Sequence, residues 1–172
     1  MSFLFCSMKE LQTAPFTLNL VDTYNIYIPY DIYEPFANQK MSRVQVEINN
    51  NETKINFYAA VKRDKNSGDF KMMFSKQKQK ELNLTLGDSF TIQLFEDTSK
   101  YGVDVPEELE EVFLTDFEAY QIFETLTKGK QRSIIYGVKR FKTSQLKIDK
   151  ALILCENLRR RNFDPMKIFK LD

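Results

Sequence analysis

The chain has 172 residues and a mass of 20.3 kDa, which suits one domain or two small ones, and its 42% apolar and 28% charged residues exclude a long disordered chain. The 25 basic and 24 acidic residues leave a net charge of +1, so no overall field attracts nucleic acid or an anionic membrane. Because the chain has no histidine, it cannot form a Ser-His-Asp or Cys-His nucleophile system or a histidine-ligated metal site.

The first predicted segment is an N-terminal tail over residues 1–15. Its opening apolar run lacks a basic region and is too short for a signal peptide, and no stretch reaches the ~20 apolar residues of a membrane helix. Met8 leaves open whether residues 1–7 belong to the natural start. Cys6 and Cys155 are not spaced as a metal site, and two such thiols are typical of a reducing compartment. We therefore expect a cytoplasmic protein without membrane insertion.

Residues 16–100 predict a small β-rich domain. Apolar and polar side chains alternate along five segments, which is the period of half-buried strands. The alternating apolar residues are Phe16, Leu18 and Leu20; Ile26 and Ile28; Val44, Val46 and Ile48; Ile55, Phe57, Ala59 and Val61; and Phe90, Ile92 and Leu94. Two short stretches, 30–36 and 76–82, interrupt the strands, and Ser75 is placed to cap the second as a helix. Many short strands indicate a small barrel or sandwich.

Residues 103–162 change to the helical period and predict a small bundle. Pro106 stands at the start of the first helix. The glutamates that follow it are favourable there, because the positive end of the helix dipole attracts negative charge. The apolar residues expected to face the bundle core are Leu109, Val112 and Phe113; Ala119, Ile122, Phe123 and Leu126; Ile134, Ile135, Val138 and Phe141; and Ile148, Leu152, Cys155 and Leu158. Residues 163–172 are predicted to be a C-terminal tail.

Short polar residues and a glycine predict where the later helices begin and end. Thr115 or Asp116 is expected to cap the second helix, because its side-chain oxygen can accept from a free N–H of the first turn. Gly129 is expected to follow the end of that helix. Thr143 is expected to open the last helix.

The chain matches itself in pattern when it is shifted by 46 residues. Residues 27–48 then fall on residues 73–94 without a gap, and each copy has the pattern of a strand, a short helical turn and a strand. Because one copy alone would leave strand edges and an apolar face exposed, two copies are expected to pack around one core. We therefore predict an α+β protein in which a duplicated, pseudo-twofold β-barrel precedes a helical bundle. The alternative is that two β-rich segments share this pattern without duplication.

The second copy has a Leu86-Gly87-Asp88 turn before its last strand, and the run Val105-Pro106-Glu107-Glu108-Leu109 follows it. This arrangement resembles the YdeI/OmpD-associated family, together with the uncharacterised β-barrel domain that commonly precedes the helical part of that family. The resemblance covers residues 16–161, and it implies a barrel similar to the double-split barrels of AbrB- and MazE-like proteins. The family name implies bacteriocin protection or porin association, without an established activity.

The helical part of that family usually carries a Trp-Ile pair, then Ala-Lys, Thr-Arg and Arg-Ile. The corresponding pairs of this sequence are Ile134-Ile135, Val138-Lys139, Thr143-Ser144 and Lys147-Ile148. Four of these positions keep the family's residue: Ile135, Lys139, Thr143 and Ile148. The tryptophan is replaced by Ile134, Ser144 stands in place of an arginine, and Lys147 keeps the charge without the planar fork of arginine.

Charge is divided along the helical part. Residues 96–124 hold ten acids and one base, whereas residues 128–161 hold eleven bases and two acids. One interpretation is a basic surface that meets phosphate or an acidic partner. The other, which we favour, is that the acidic first helices pair with the basic later ones. The candidate binding-surface residues are Lys139, Arg140, Thr143, Lys147, Lys150 and the aromatic residues Tyr30 and Tyr33, which are expected to be exposed, whereas Phe36 is expected to be core.

These patterns favour a non-enzymatic binding or interaction protein, with an unknown protein or small ligand as partner and with no cofactor or metal ion. The glutamates between residues 107 and 111 are typical of a solvated helix face, and Cys155 is expected to be an inert core thiol. One alternative is nucleic-acid binding through the basic C-terminal helices. A second is a small-molecule or enzymatic pocket between barrel and bundle. The oligomeric state stays open, and a monomer fits a chain that supplies both halves of its barrel.

Overall fold

The computed structural model describes residues 10–171, and the chain forms two compact units that divide between Thr98 and Ser99. We call them the N-terminal unit and the helical unit. The first contains a β-sheet with two helices and the second contains four helices, which confirms the α+β class. Predictions for residues 1–9, including the one for Cys6, lie outside the described residues.

One six-stranded antiparallel sheet forms most of the N-terminal unit. Its strands are β1 (Phe16–Asn19), β2 (Asn25–Ile28), β3 (Arg43–Asn50), β4 (Thr53–Arg63), β5 (Phe70–Met73) and β6 (Ser89–Glu96). Its helices are α1 (Tyr30–Asn38), between β2 and β3, and α2 (Lys76–Glu81), between β5 and β6. The strand order across the sheet is β1-β6-β3-β4-β5-β2. The long strand β4 changes partner along its length, because residues 53–60 pair with β3 and residues 61–63 pair with β5.

The two outer strands, β1 and β2, are neighbours in the chain. A flat sheet would place them about 24 Å apart, since five strand spacings of about 4.8 Å would separate them. The six steps from Asn19 to Asn25 reach at most about 21 Å when fully extended. The connection is also tied down at both ends, because Leu20 N donates to Asp88 O at 2.8 Å and Tyr24 O accepts from Phe74 N at 2.7 Å. The sheet therefore curls into a half-barrel.

The concave side of this half-barrel holds the core that the alternating pattern predicts. Val44, Val46 and Ile48 of β3 are fully buried, and Val46 and Ile48 lie opposite the equally buried Leu94 and Ile92 of β6. Side chains of α1, with Phe36 among them as predicted, and Leu82 and Leu84, which follow α2, complete this core. The alternation predicts the burial well because antiparallel strands with one solvated face bury every second side chain.

Tyr33 corrects the sequence prediction, because the ring expected to be exposed is only 1% exposed. It lies three residues before Phe36 on α1, so both rings fall on the buried helix face and stack with centroids 5.4 Å apart. Its hydroxyl donates to the carbonyl oxygen of Met41 at 3.0 Å, which satisfies the polar end of a buried tyrosine. Burial raises the pKa of Tyr33 to about 12.

Turn and cap residues fix the ends of these elements. Ser75 caps α2 as predicted, with its hydroxyl oxygen accepting from Lys78 N at 3.4 Å. Gly87 takes a φ of +93° in the turn before β6, a conformation that glycine adopts without steric cost. In that conformation Gly87 N donates to Leu20 O at 2.8 Å, which attaches the turn to the end of β1.

Asp64 organises the turn between β4 and β5. Its carboxylate accepts from Lys71 Nζ at 2.7 Å and from Ser67 N at 3.0 Å. The Lys71 ammonium, followed by the Ser67 amide, lowers the pKa of Asp64 to about 2. The ionised form is therefore the one that this turn stabilises.

We expect Asp64→Asn to weaken the acid sensitivity of the N-terminal unit. A carboxyl whose folded-state pKa is lowered stabilises the fold above its unfolded-state pKa of about 3.9, and that stabilisation is lost as the pH falls toward about 2. The wild-type melting temperature should thus fall more steeply than that of Asp64→Asn between these pH values. Asp31→Asn, on an exposed carboxylate of α1, serves as the control and should follow the wild type. Parallel curves for wild type and Asp64→Asn would contradict the assignment.

The helical unit contains α3 (Glu107–Thr115), α4 (Phe117–Glu124), α5 (Lys128–Lys139) and α6 (Ser144–Arg159). The longest helix, α6, packs against the other three. The resulting core holds the predicted apolar residues other than Phe141 and Leu152, and it adds Tyr101, Val103 and Ile168 from the segments at either end. Within residues 10–171, no helix combines the length and the apolar character that crossing a membrane requires.

Polar caps begin α4 and α6 where the sequence predicts them. The Asp116 carboxylate accepts from Ala119 N at 3.1 Å, and the Thr143 hydroxyl accepts from Leu146 N at 3.2 Å. The predicted position of Gly129 is wrong, because this glycine is the second residue of α5 and not the residue after α4. α4 ends at Glu124, and Thr127 caps α5 by accepting from Lys130 N at 3.4 Å.

The predicted burial of Leu152 is also wrong, because this side chain is 52% exposed. The buried stripe of α6 runs through Ala151, Leu154, Cys155 and Leu158. Leu152 lies about 100° away from the centre of this stripe, since successive residues of a helix turn by about 100°. Cys155 is 1% exposed, which confirms it as a core residue.

The segment after α6, predicted to be a tail, packs back on the bundle. Ile168 is buried, and the Phe169 ring lies so close to Gly137 of α5 that a β-carbon there would overlap it. The buried Asn157 side chain donates to the carbonyl oxygens of Ile168 at 3.1 Å and of Lys170 at 2.8 Å. Lys150 Nζ donates to Phe169 O at 3.1 Å. Residues 163–171 are thus fixed by apolar packing and by side-chain hydrogen bonds.

Candidate binding groove in the helical unit

An apolar cavity of the helical unit lies along α3 and α4. Its volume is about 600 Å³, within the range of ligand-binding pockets. The residues that line it are Lys100, Tyr101, Val103, Val105, Glu110, Phe113, Leu114, Phe117, Tyr120 and Phe123. We call this cavity the α3–α4 groove. Its floor is the bundle core and its mouth is open to solvent.

Two large apolar side chains stand exposed at the mouth of the groove. Leu114 is 77% exposed and Phe117 is 64% exposed. Around the axis of α3, Leu114 lies about 100° from Phe113, which belongs to the buried stripe of that helix. Phe117 is the first residue of α4 and lies away from the buried Ala119 and Ile122. Neither side chain is needed to complete the bundle core, and exposed apolar residues that adjoin a cavity mark a binding surface.

A polar cluster closes one end of the groove. Lys100 Nζ lies 2.7 Å from a carboxylate oxygen of Glu124 and 2.7 Å from the Tyr120 hydroxyl. The Tyr101 hydroxyl donates to the same carboxylate. Lys100 Nζ also lies 5.2 Å from the ring centroids of both Tyr101 and Tyr120, within the range of cation–π attraction. These contacts satisfy the lysine ammonium within the protein.

The ionisable groups of this cluster keep a fixed protonation state at neutral pH. The hydrogen bonds to Glu124 and Tyr120 raise the pKa of Lys100 above its ordinary value. Burial, and then the bond to Glu124, raises the pKa of Tyr101. Burial alone would raise the pKa of Glu124, but the Lys100 ammonium and the Tyr101 hydroxyl lower it below its ordinary value. None of the three groups is therefore poised to exchange a proton near pH 7.

Carboxylates are concentrated on α3 and α4, the two helices that line the groove. From residue 101 to residue 127 the sequence has eight acidic residues and no lysine or arginine. Glu110 lines the groove itself, and Glu107, Glu111 and Glu118 are exposed on the same two helices. None of these four glutamates forms an ion pair within residues 10–171. The unpaired charge on α3 and α4 is therefore negative, and on the α5 side Lys128 Nζ lies 5.2 Å from the ring centroid of Tyr101.

The basic candidate residues contact the helical unit itself. Lys147 pairs with Glu108 of α3 at 3.3 Å, and Arg159 pairs with Asp116, the cap of α4. These two pairs confirm the interpretation that the acidic first helices pair with the later basic helix. Lys139 Nζ donates to Asp104 O at 3.4 Å, and Lys150 is bound as described above. Exposed pairs of this kind contribute at most about 1 kcal/mol each.

The remaining candidate residues do not form one site. Thr143 acts as a helix cap, and Arg140 is exposed near the end of α5. Tyr30 belongs to the N-terminal unit and is 40% exposed; its ring stacks on Phe70 and lies 5.0 Å below the Arg63 guanidinium. That these residues form a binding surface stays a prediction. Tyr33 cannot contribute to such a surface, because it is buried.

The comparison with family models finds a match in the helical part of the chain. Residues 102–161 match the family described as bacteriocin-protection, YdeI or OmpD-associated. This confirms the resemblance predicted from the sequence for these residues, while the resemblance of residues 16–101 stays a prediction. The comparisons with curated proteins and with solved structures find no match.

The YdeI/OmpD-associated match includes the groove residues other than Lys100 and Tyr101, and it includes all the positions compared with the family motif in the sequence. Ile134, Ile135 and Val138 are buried in the bundle core. Thr143 and Lys147 serve as a helix cap and as the partner of Glu108, so both stabilise the bundle. The groove is lined by residues of α3 and α4, and the compared motif positions include none of these residues.

Sequence reasoning missed the groove, although a signal for it was present. The predicted stripe of α3 contains Leu109, Val112 and Phe113, and it leaves Leu114 as an apolar residue on the opposite face. Phe117, three positions after Leu114, is a second apolar residue that lies outside the predicted stripes of α3 and α4. Two such residues close together, within a run of carboxylates, indicate an apolar patch with an acidic border.

Proposed function

We propose that this protein is a non-enzymatic binding protein with a bacteriocin-protection-like role, and that the α3–α4 groove is its binding site. The observation that carries the proposal is the pair Leu114 and Phe117, exposed at the mouth of an apolar cavity of about 600 Å³. The family match of residues 102–161 supports the role, because it includes α3 and α4. Apolar cavities of this size with a few polar groups are the usual form of a ligand site.

The chemistry of the helical unit supports binding without catalysis. The Cys155 thiol is buried, and burial raises its pKa to about 11, so it is not a thiolate nucleophile at neutral pH. The polar cluster of Lys100, Tyr101 and Glu124 keeps a fixed protonation state near pH 7, as described above. A general acid or base needs a pKa near the working pH.

The N-terminal unit is, in this proposal, a duplicated double-split barrel that serves as a scaffold. Exchanging β1, β2 and β3 with β4, β5 and β6 turns the β1–β6 pair into the β4–β3 pair, and it leaves the β3–β6 and β2–β5 pairs unchanged. The cross-strand partners Ile26–Met72 and Glu47–Gln93 are each 46 residues apart, which is the shift of the sequence repeat. A dyad through these two pairs would relate the two halves.

The groove is tested with Nile red, a neutral apolar dye whose fluorescence increases when it leaves water. We expect the full chain to bind the dye, and we expect Phe117→Ser to weaken binding about tenfold, because it removes the large ring at the mouth. Met166→Ser, on a methionine that is also exposed, is the matched control and should bind like the wild type. Equal binding by wild type and Phe117→Ser would contradict a site in the groove.

A further inference from the structure

We infer that the partner of the α3–α4 groove is a basic amphipathic helix of another protein. This inference rests on the proposed function, since it assigns the kind of ligand that the groove binds. It follows from two features found together, the apolar groove and the unpaired glutamates on the two helices that line it. Neither feature would carry it alone.

The apolar part of the groove fits the apolar face of a helix. Leu114 and Phe117 form its mouth, and Phe113 and Tyr120 continue the surface inward, with their rings 5.5 Å apart. An amphipathic helix presents large apolar side chains at positions i, i+3, i+4 and i+7, which enter such a groove together. A cavity of about 600 Å³ is large enough to receive several of these side chains.

The unpaired glutamates of α3 and α4, the two helices that line the groove, favour a basic polar face. Glu107, Glu110, Glu111 and Glu118 are exposed on α3 and α4 and have no ion-pair partner among the described residues. The cation in the groove, Lys100, is already bound by Glu124 and Tyr120 and does not neutralise them. Lysine and arginine side chains on the polar face of a docked helix would provide that neutralisation. Anionic ligands and anionic membranes would be repelled.

The probe is a synthetic helix of about 14 residues, with leucine at i, i+3, i+4 and i+7 and lysine elsewhere. A second peptide carries glutamate in place of each lysine. Binding to the full chain is measured by fluorescence polarisation of labelled peptides. We expect the lysine peptide to bind about tenfold more tightly than the glutamate peptide, and its affinity to fall as salt is raised from about 50 mM to about 300 mM.

Two sets of variants separate the apolar and the charge contributions. Phe117→Ser should weaken binding of the lysine peptide about tenfold, with Met166→Ser unchanged. The double variant Glu111→Gln with Glu118→Gln, on exposed carboxylates of α3 and α4 outside the groove lining, should bind the lysine peptide several-fold more weakly and lose part of the salt dependence, while Nile red binding stays the same. Glu81→Gln, on an exposed carboxylate of α2, is the matched charge control.

The outcomes distinguish this inference from the proposed function. Nile red binding that depends on Phe117, without preference for the lysine peptide, would overturn the basic helix and keep the groove as a site. Absence of both dye and peptide binding would overturn both. Self-association of the chain that Phe117→Ser abolishes, measured by light scattering, would show that a second copy occupies the groove and would also overturn the basic helix.

Discussion

Replacing Phe74 with alanine is expected to lower the free energy of unfolding of the N-terminal unit by about 3–5 kcal/mol. Phe74 is fully buried at the end of β5, and its ring stacks between Phe57 of β4 and Phe90 of β6, with both centroid distances at 6.3 Å. The Phe74 ring therefore links β4 and β5 to β6, which is not a direct neighbour of either strand in the sheet order. Alanine would leave a cavity that these rings can fill only in part, in a domain of total stability about 5–15 kcal/mol.

The neighbouring residue provides the matched control. Met73 is 79% exposed on the same strand, so Met73→Ala should change stability by less than about 0.5 kcal/mol. Urea unfolding followed by circular dichroism gives the overall change, and amide hydrogen exchange resolved by mass spectrometry assigns it to each unit. If Phe74→Ala were as stable as Met73→Ala, the stacked aromatic core between β4, β5 and β6 would be wrong.

Replacing Asn157 with leucine is expected to destabilise the helical unit by at least about 2 kcal/mol and to release residues 163–171. Asn157 is 3% exposed, and its amide donates to the carbonyl oxygens of Ile168 and Lys170. Leucine has the same branching at Cγ but cannot donate, and each buried polar group left without a partner costs about 1–3 kcal/mol. Trypsin should then cleave after Lys167 faster than in the wild type.

The control for this experiment lies on the same helix. Gln145 is exposed on α6 and bonds only Asp149, at 2.9 Å, so Gln145→Leu should leave both stability and cleavage nearly unchanged. Unchanged cleavage in Asn157→Leu would indicate that burial of Ile168 alone holds the segment. A loss of stability without faster cleavage would contradict the role of Asn157 as the attachment point of the segment.

The strands and helix caps were predictable from the sequence because local chemistry determines them. Alternation along Val44, Val46 and Ile48 needs only one buried sheet face, and Ser75 and Thr143 satisfy amides within three residues of themselves. The strand order was not predictable in this way. The pairing of β1 with β6 depends on contacts between residues distant in sequence, which no local pattern encodes.

The errors in the helical unit have a similar origin. Leu152 has the apolar character of a core residue, but the packing of the other helices on α6 decides which face of the helix is buried. Tyr33 is polar enough for a surface, yet a backbone carbonyl lies where its hydroxyl needs one. The groove depends on Leu114 and Phe117, and only the arrangement of α3 and α4 brings these two side chains to one cavity.

The pairing of the first strand with the last has a consequence for the order in which the protein is made. β1 leaves the ribosome early, but its partner β6 ends only at Glu96, so the half-barrel cannot close until most of the chain has been synthesised. Contacts between residues so far apart in sequence slow folding, because a long loop must close before they form. Each helix after Ser99 forms from hydrogen bonds close in sequence, but the bundle is complete only when α6 packs on α3 and α4. Until β6 has been synthesised, the edge of β1 that β6 covers therefore stays unpaired and can associate with another chain.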